Sequence, residues 1–198
     1  MTIAETVRAA GKAGERPKTL LTAEQYSQLG RDPVGVRLEL VNGEILVSPR
    51  PNYFHSSVVI NLIGILQPYL RQKTLGQLLQ DLDTPFDKFT VRRPDILFIA
   101  ADRIKSVVLG NRLVGVPDLA VEVVSPHNVE TDTVDKFALY EKHGIRWYWI
   151  IDPEDKTAKC FELREEKYVL AAAGKGADVV RFVPFGELEI LLGEIWPT

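Results

Sequence analysis

Apolar residues recur along this chain with two different periods. From His55 to Arg71, Val58, Val59, Leu62, Ile63, Leu66 and Leu70 fall at helical spacing and predict one long helix, with Pro68 expected to kink or shorten its end. Earlier, Arg37–Val41 and Glu44–Val47 flank Asn42-Gly43. Asn-Gly supplies the positive φ angles of a tight turn, so this stretch predicts a β-hairpin closed by Ser48-Pro49. Thr22-Ala-Glu-Gln25 predicts a capping box that opens a short helix ending near Gly30. Gln77–Asp83 and Lys88–Ala100 read as strands, and Asp102–Leu109 as a short helix.

The second half is more apolar. Val116–Val124 reads as a central strand and Arg146–Ile151 as a second buried strand. Between them a helix is expected to begin around Glu130 and end at His143, with Gly144 as its left-handed stop. Strand, helix, strand predicts a right-handed crossover with parallel strands. Shorter strands follow over Lys159–Arg164, Lys167–Ala172 and Val179–Val183, then a last segment over Leu188–Ile195. The predicted fold class is α/β in the broad sense, an α+β mixed sheet flanked by helices.

The chain has 198 residues, enough for a full core. Residues 1–18 read as a mobile tail without the apolar segment of a secretory signal, and residues 19–198 as one domain. No apolar run reaches the ~18 residues of a membrane span. The one cysteine, Cys160, excludes an internal disulfide, so a reducing, cytoplasmic setting is expected. The net charge of −3 weighs against a broad electrostatic footprint for nucleic acid. Lys88, Arg92, Arg93, Arg103 and Lys105 cluster in sequence, and the simplest reading is a solvated face.

Two carboxylates interrupt apolar strands: Asp95 in RRPDILFI and Glu122 in DLAVEVV. A buried carboxylate without a partner is strongly disfavoured, and two of them invite a shared cation. A hard cation that takes oxygen ligands, Mg²⁺ or Mn²⁺, suits such a pair and phosphodiester cleavage. The alternatives are a turn role for Asp95 and, for Glu122, a buried ion pair with an arginine such as Arg146. Asp118 shares the face of Glu122 and reads as marking the strand entrance. His127 and His143 have no cluster around them, and no Cys/His zinc spacing or phosphate-cradling glycine loop is present. Trp147, Tyr148 and Trp149 read as core, with a subunit contact as the second reading, rather than as base-stacking platforms.

Pro94-Asp95 followed by Glu122 on the next central strand resembles the core of the PD-(D/E)xK nucleases. The segments Glu39-Leu-Val-Asn-Gly-Glu44, Ser48-Pro49 with His55, Arg93-Pro94-Asp95, Pro117–Pro126, Asp132–Tyr140 and Trp147–Pro153 resemble a bacterial family of restriction-endonuclease-like proteins, the Uma-two family. The resemblance covers Thr19 to Pro153 and onward. It implies a restriction-endonuclease-like core, a metal held by Asp95 and Glu122, DNA as substrate and a homodimer. The chain departs from the nuclease pattern at Val124, where the lysine of ExK is expected. What the resemblance then implies is a lysine from the following helix, Lys136. Glu122 lies ~10 Å below the strand end, and Lys136 ~7.5 Å into the returning helix, so their depths match. Lys136 flanks a predicted apolar face of Val134, Phe137 and Tyr140. Its plain alternative is a helical pair with Asp132. His55 resembles the family histidine near the site, against a surface or capping role. Glu39 is either a third carboxylate at the metal or a solvent-facing hairpin residue. Two functions stay open: a metal-dependent DNA endonuclease using Asp95, Glu122, Lys136, Glu39 and His55, or a catalytically inactive nuclease-like module for binding or assembly.

Overall fold

The computed structural model describes residues 20–125 and 131–197, with residues 131 and 132 by backbone only. The expected N-terminal tail, the helix start at Glu130, His127 and the Asp132 side chain lie outside the described residues.

Helix α1 (Ala23–Ser27) opens with the predicted reciprocal capping box between Thr22 and Gln25. Strands β1 (Val36–Val41) and β2 (Glu44–Pro49) form the predicted hairpin, with Asn42 at φ 51° and Gly43 at φ 82° in the turn. Along β1, Leu38 and Leu40 face a small core with Tyr26 and Ile45, while Arg37 and Glu39 point to the other side.

Helix α2 (Tyr53–Lys73) buries Val58, Leu62, Leu66 and Leu70, one per turn. It starts on Asn52, whose side chain accepts from the His55 amide, and ends at Thr74 in the left-handed region. Pro68 lies within it rather than shortening it. Proline removes the hydrogen bond to the carbonyl four residues back. That residue is Gly64, on the exposed side, where water can take the donor's place.

Strands β3 (Gly76–Gln80), β4 (Thr84–Asp87), β5 (Thr90–Arg92) and β6 (Ile96–Ala100) follow. The expected single strand over Lys88–Ala100 is therefore two strands, and they belong to different sheets. Arg93-Pro94-Asp95 makes the crossing between them, at a proline that has no amide hydrogen for either ladder. The expected helix over Asp102–Leu109 is one turn, α3 (Ile104–Val107), running into a minimal hairpin of β7 (Val108–Leu109) and β8 (Arg112–Leu113).

The centre is β9 (Leu119–Val123), buried at every residue. A π-helical turn, Thr131–Asp135, leads into α4 (Lys136–Lys142), which stops at Gly144 with φ 76°. Then come β10 (Trp147–Asp152), β11 (Thr157–Arg164), β12 (Lys167–Lys175), β13 (Val179–Val180) and β14 (Ile190–Leu191). β9 and β10 are parallel, as the crossover predicts. The larger sheet has the order β12-β11-β10-β9-β6-β3, and the smaller β2-β1-β5-β4. This is the mixed sheet flanked by helices that the chain's periodicity predicts.

Period-two alternation in β9 and β10 divides the core. Leu119, Val121, Val123, Trp149 and Ile151 pack with α2 on one face. Ala120, Val124, Tyr148 and Ile150 pack with Tyr140 of α4 on the other. Glu122 has the parity of that second face.

Candidate functional site

Asp95 sits where the chain passes from the smaller sheet to the larger. β6 and β9 are antiparallel, with Ile96 opposite Val121 and Leu97 opposite Ala120. One further step of that register sets Asp95 opposite Glu122, and opposed residues of an antiparallel pair share a face. Asp95 Oδ2 accepts from the Val123 amide at 2.8 Å and lies 3.0 Å from His55 Nε2. Oδ1 accepts from Arg37 Nη1 at 3.1 Å. Burial pushes this carboxyl's pKa up, but the hydrogen bond from His55 and the charges of Lys136 and Arg37 outweigh it and hold Asp95 ionised, well below the usual range.

Glu122 is fully buried. Lys136 Nζ donates to its Oε2 at 2.6 Å, and the Tyr140 hydroxyl donates to Oε1 at 2.6 Å. Burial and the neighbouring Glu122 charge raise the Tyr140 phenol well above its ordinary value, so it remains a donor. Stacking on Phe86 at 5.3 Å fixes the Tyr140 ring. Arg146, the alternative partner for Glu122, instead lies over the Trp147 ring at 4.6 Å. Val134, expected on the inward face beside Lys136, is exposed. The wider winding of the π turn before Lys136 takes Val134 off the stripe that α4 continues.

Glu39 is buried, which removes the solvent-facing alternative. Its Oε1 accepts from the Arg93 amide at 2.7 Å, and its Oε2 lies 3.4 Å from Arg92 Nη1. Burial raises its pKa, yet the charges of Lys136, Arg92 and Arg37 hold it below the ordinary glutamate value. His55 is buried too, and Asn52 takes the capping role.

The arginines do not form a solvated face. Arg92 is 2% exposed, Arg93 bridges Asp32 at 2.6 Å and Asp81 at 2.8 Å, and Arg103 holds Asp118 at 2.6 Å. Only Lys88 and Lys105 of that cluster are exposed. Each buried guanidinium is drawn inward because a carboxylate is already there to pair with it. Asp118, at the entrance of β9, also accepts from the Ala100 amide.

The structure thus brings Asp95, Glu122, Lys136, Glu39 and His55 into one buried cluster and adds Arg37, Arg92 and Tyr140. Two of the additions have a signal in sequence. Arg37 is two residues from Glu39 on the same strand face, and Tyr140 is one helical turn beyond Lys136. Three carboxylates, Glu39, Asp95 and Glu122, meet three fixed cations, Arg37, Arg92 and Lys136, so the cluster is charge-balanced. Among the described residues, no three His, Cys, Asp or Glu side chains converge on a metal position. What the cluster offers is the carboxylate of Asp95, bonded to the Val123 amide, and that of the adjacent Glu122, and this donor set fits a hard divalent cation completing its shell with water and phosphate oxygens. His55 also lines an open cleft of about 480 Å³ with Asn52, Phe54, Val124, Asp152 and Glu154.

Comparison with known proteins adds the family. The profile of Uma2, described as "Putative restriction endonuclease", matches residues 23–192. The chain belongs to the Uma2 family. The Uma2 match spans every member of the cluster, from Arg37 to Tyr140. No curated protein matches the chain. Among solved structures, a putative nuclease belonging to DUF820 from Anabaena variabilis superposes with a TM-score of 0.73. It is 20% identical, and the match covers 88% of this chain and 97% of that one. At that identity the likeness concerns the fold alone. No helix among the described residues is long and apolar enough to cross a membrane.

Proposed function

We propose that this Uma2 protein is a metal-dependent endonuclease that hydrolyses phosphodiester bonds of DNA. The observation that carries the reading is that Asp95 accepts from the amide of Val123, the residue after Glu122, at 2.8 Å, while Lys136 lies 2.6 Å from Glu122. Asp95 and Glu122 are the residues that would hold Mg²⁺ or Mn²⁺. Such an ion, when bound, supplies Lewis-acid stabilisation of the charge that develops on phosphate and lowers the pKa of water.

The chain's own residues do the rest. Arg37 and His55 keep Asp95 ionised and fix its two oxygens in place. Lys136 donates to Glu122 and adds a positive charge that favours a phosphate oxygen or holds the attacking water. Tyr140 pins the second oxygen of Glu122, so the carboxylate presents one orientation. Glu39 orients Arg92 and the backbone at Arg93, two residues from Asp95. His55 reaches from Asp95 to the cleft, where its imidazole can accept or deliver a proton near a bound strand.

The test is cleavage of varied DNA, single-stranded and duplex, with Mg²⁺ or Mn²⁺ by wild type, Asp95→Ala and Glu122→Ala. Metal-dependent cutting by wild type alone is expected. Equal activity in all three would remove the assignment.

A second reading has an observation of its own. The cluster is already neutral through three carboxylate–cation pairs, and Val124 stands where the nuclease pattern places lysine. This favours a catalytically inactive module for binding or assembly. Folded wild type that neither binds Mn²⁺ nor cuts DNA would establish it.

A further inference from the structure

The chain has 17 aromatic residues, eight Phe, six Tyr and three Trp. All lie among the described residues, and only two are exposed: Tyr53 at 64% and Phe54 at 56%. They are neighbours on the first turn of α2, immediately before His55. Their rings meet edge to face, with centroids 5.5 Å apart and an interplanar angle of 74°. Phe54 and His55 line the same cleft, and His55 is the residue that touches Asp95. The exposed aromatic surface of the described chain is therefore concentrated beside the candidate site.

Charge around the cleft says which part of a nucleic acid would enter. Asp152 and Glu154 stand on its wall. Carboxylates repel phosphates but accept hydrogen bonds from the exocyclic amino groups of bases. A volume of about 480 Å³ is ordinary for a small-ligand cleft. The first turn of α2 carries no acidic residue, so the positive end of this 21-residue helix is left uncompensated by carboxylates of its own. A base that leaves its stack can lie on Phe54 with its edge toward Asp152 and Glu154, while its phosphate stays on the outer, helix-end side. A base locked in a duplex cannot present its face in this way.

We infer that Tyr53 and Phe54 form a nucleobase-stacking subsite that selects single-stranded or unpaired nucleic acid and sets the strand beside His55. The inference rests on the reading of the site as one that acts on DNA, and adds the substrate class.

The experiment is fluorescence anisotropy with a labelled 12-nucleotide DNA strand, alone and annealed to its complement. EDTA is present throughout, so binding is read without cleavage. The single strand is expected to bind wild type at least tenfold tighter than the duplex. Phe54→Ala and Tyr53→Ala should weaken the single strand roughly five- to hundredfold, the scale of one lost base stack, and leave the weak duplex binding unchanged. Phe54→Trp should restore it. Both positions are exposed, so the variants are expected to fold, and circular dichroism checks this.

Equal affinity for single strand and duplex overturns the proposal, as does Phe54→Ala binding like wild type. A Phe54→Ala defect that coincides with loss of a dimer in sedimentation also overturns it, because the pair is then a contact between copies of the chain. The outcome separates from the endonuclease reading. Phe54-dependent binding with no metal-dependent cutting keeps this subsite and removes the nuclease, and cutting by wild type and Phe54→Ala alike does the reverse.

Discussion

Lys136 Nζ lies 2.6 Å from Glu122 Oε2, although β9 ends at Val123 and Lys136 opens α4, before the chain rejoins the sheet at β10. The pair is buried, with side chains 6% and 1% exposed. Removing one member of a buried ion pair strands the other charge, and the usual loss is ~3–5 kcal/mol. Lys136→Met should therefore lower stability by about that much in urea unfolding. The double variant Glu122→Gln/Lys136→Met should be more stable than the sum of the two single losses implies. Strict additivity would show that the two groups are not energetically coupled.

Tyr140 makes a narrower case. Tyr140→Phe keeps the ring on Phe86 and removes only the hydroxyl that donates to Glu122. A hydrogen bond to a charged acceptor contributes ~1.5–3 kcal/mol, and the urea midpoint should fall accordingly. An unchanged midpoint would mean that the hydroxyl does not hold Glu122.

The pH dependence follows from Glu39. Its pKa in the folded protein is held below the ordinary value by Lys136, Arg92 and Arg37, against the upward push of burial. A depressed folded pKa contributes stability above the unfolded value, ~4.3, and that contribution is lost as pH falls through the folded value. Stability should decline as pH drops below about 4.3, with a shallower slope in Glu39→Gln. Parallel pH profiles for the two proteins would contradict this.

Cys160 offers a probe of the core. Burial pushes its thiol up to about 12, and its sulfur lies 3.6 Å from the Val183 carbonyl. Alkylation by iodoacetamide at pH 8 should be undetectable in the native protein and rapid in urea, because the thiolate is the nucleophile. Fast labelling of the native state would place Cys160 outside the core.

Local rules made much of the architecture legible. Thr22 and Gln25 cap α1, Asn42-Gly43 turns the hairpin, and the parallel pairing of β9 and β10 follows from strand, helix, strand. Other features escaped, among them the minimal hairpin that follows a single helical turn where a helix over Asp102–Leu109 is expected. Lys88–Ala100 is apolar enough to pass for one strand, and only the presence of two sheets shows that Pro94 divides it. Val134 looked inward by ordinary helical spacing, which a π turn does not obey. In the cluster, Asp95 and Glu122 announced themselves by the unfavourable burial of a carboxylate among Val, Ile and Leu. The neutralising cations did not, because an arginine run such as Arg92-Arg93 reads as surface until its partners Glu39, Asp32 and Asp81 are brought to it from elsewhere in the chain.

The central claim is that Asp95 and Glu122 together hold a divalent metal. Isothermal titration of Mn²⁺ into wild type, Asp95→Asn and Glu122→Gln measures it directly, with folding of each protein checked by circular dichroism. The account predicts saturable binding by wild type that is lost in both variants. Folded wild type that takes up no Mn²⁺, or variants that bind it as wild type does, would contradict it.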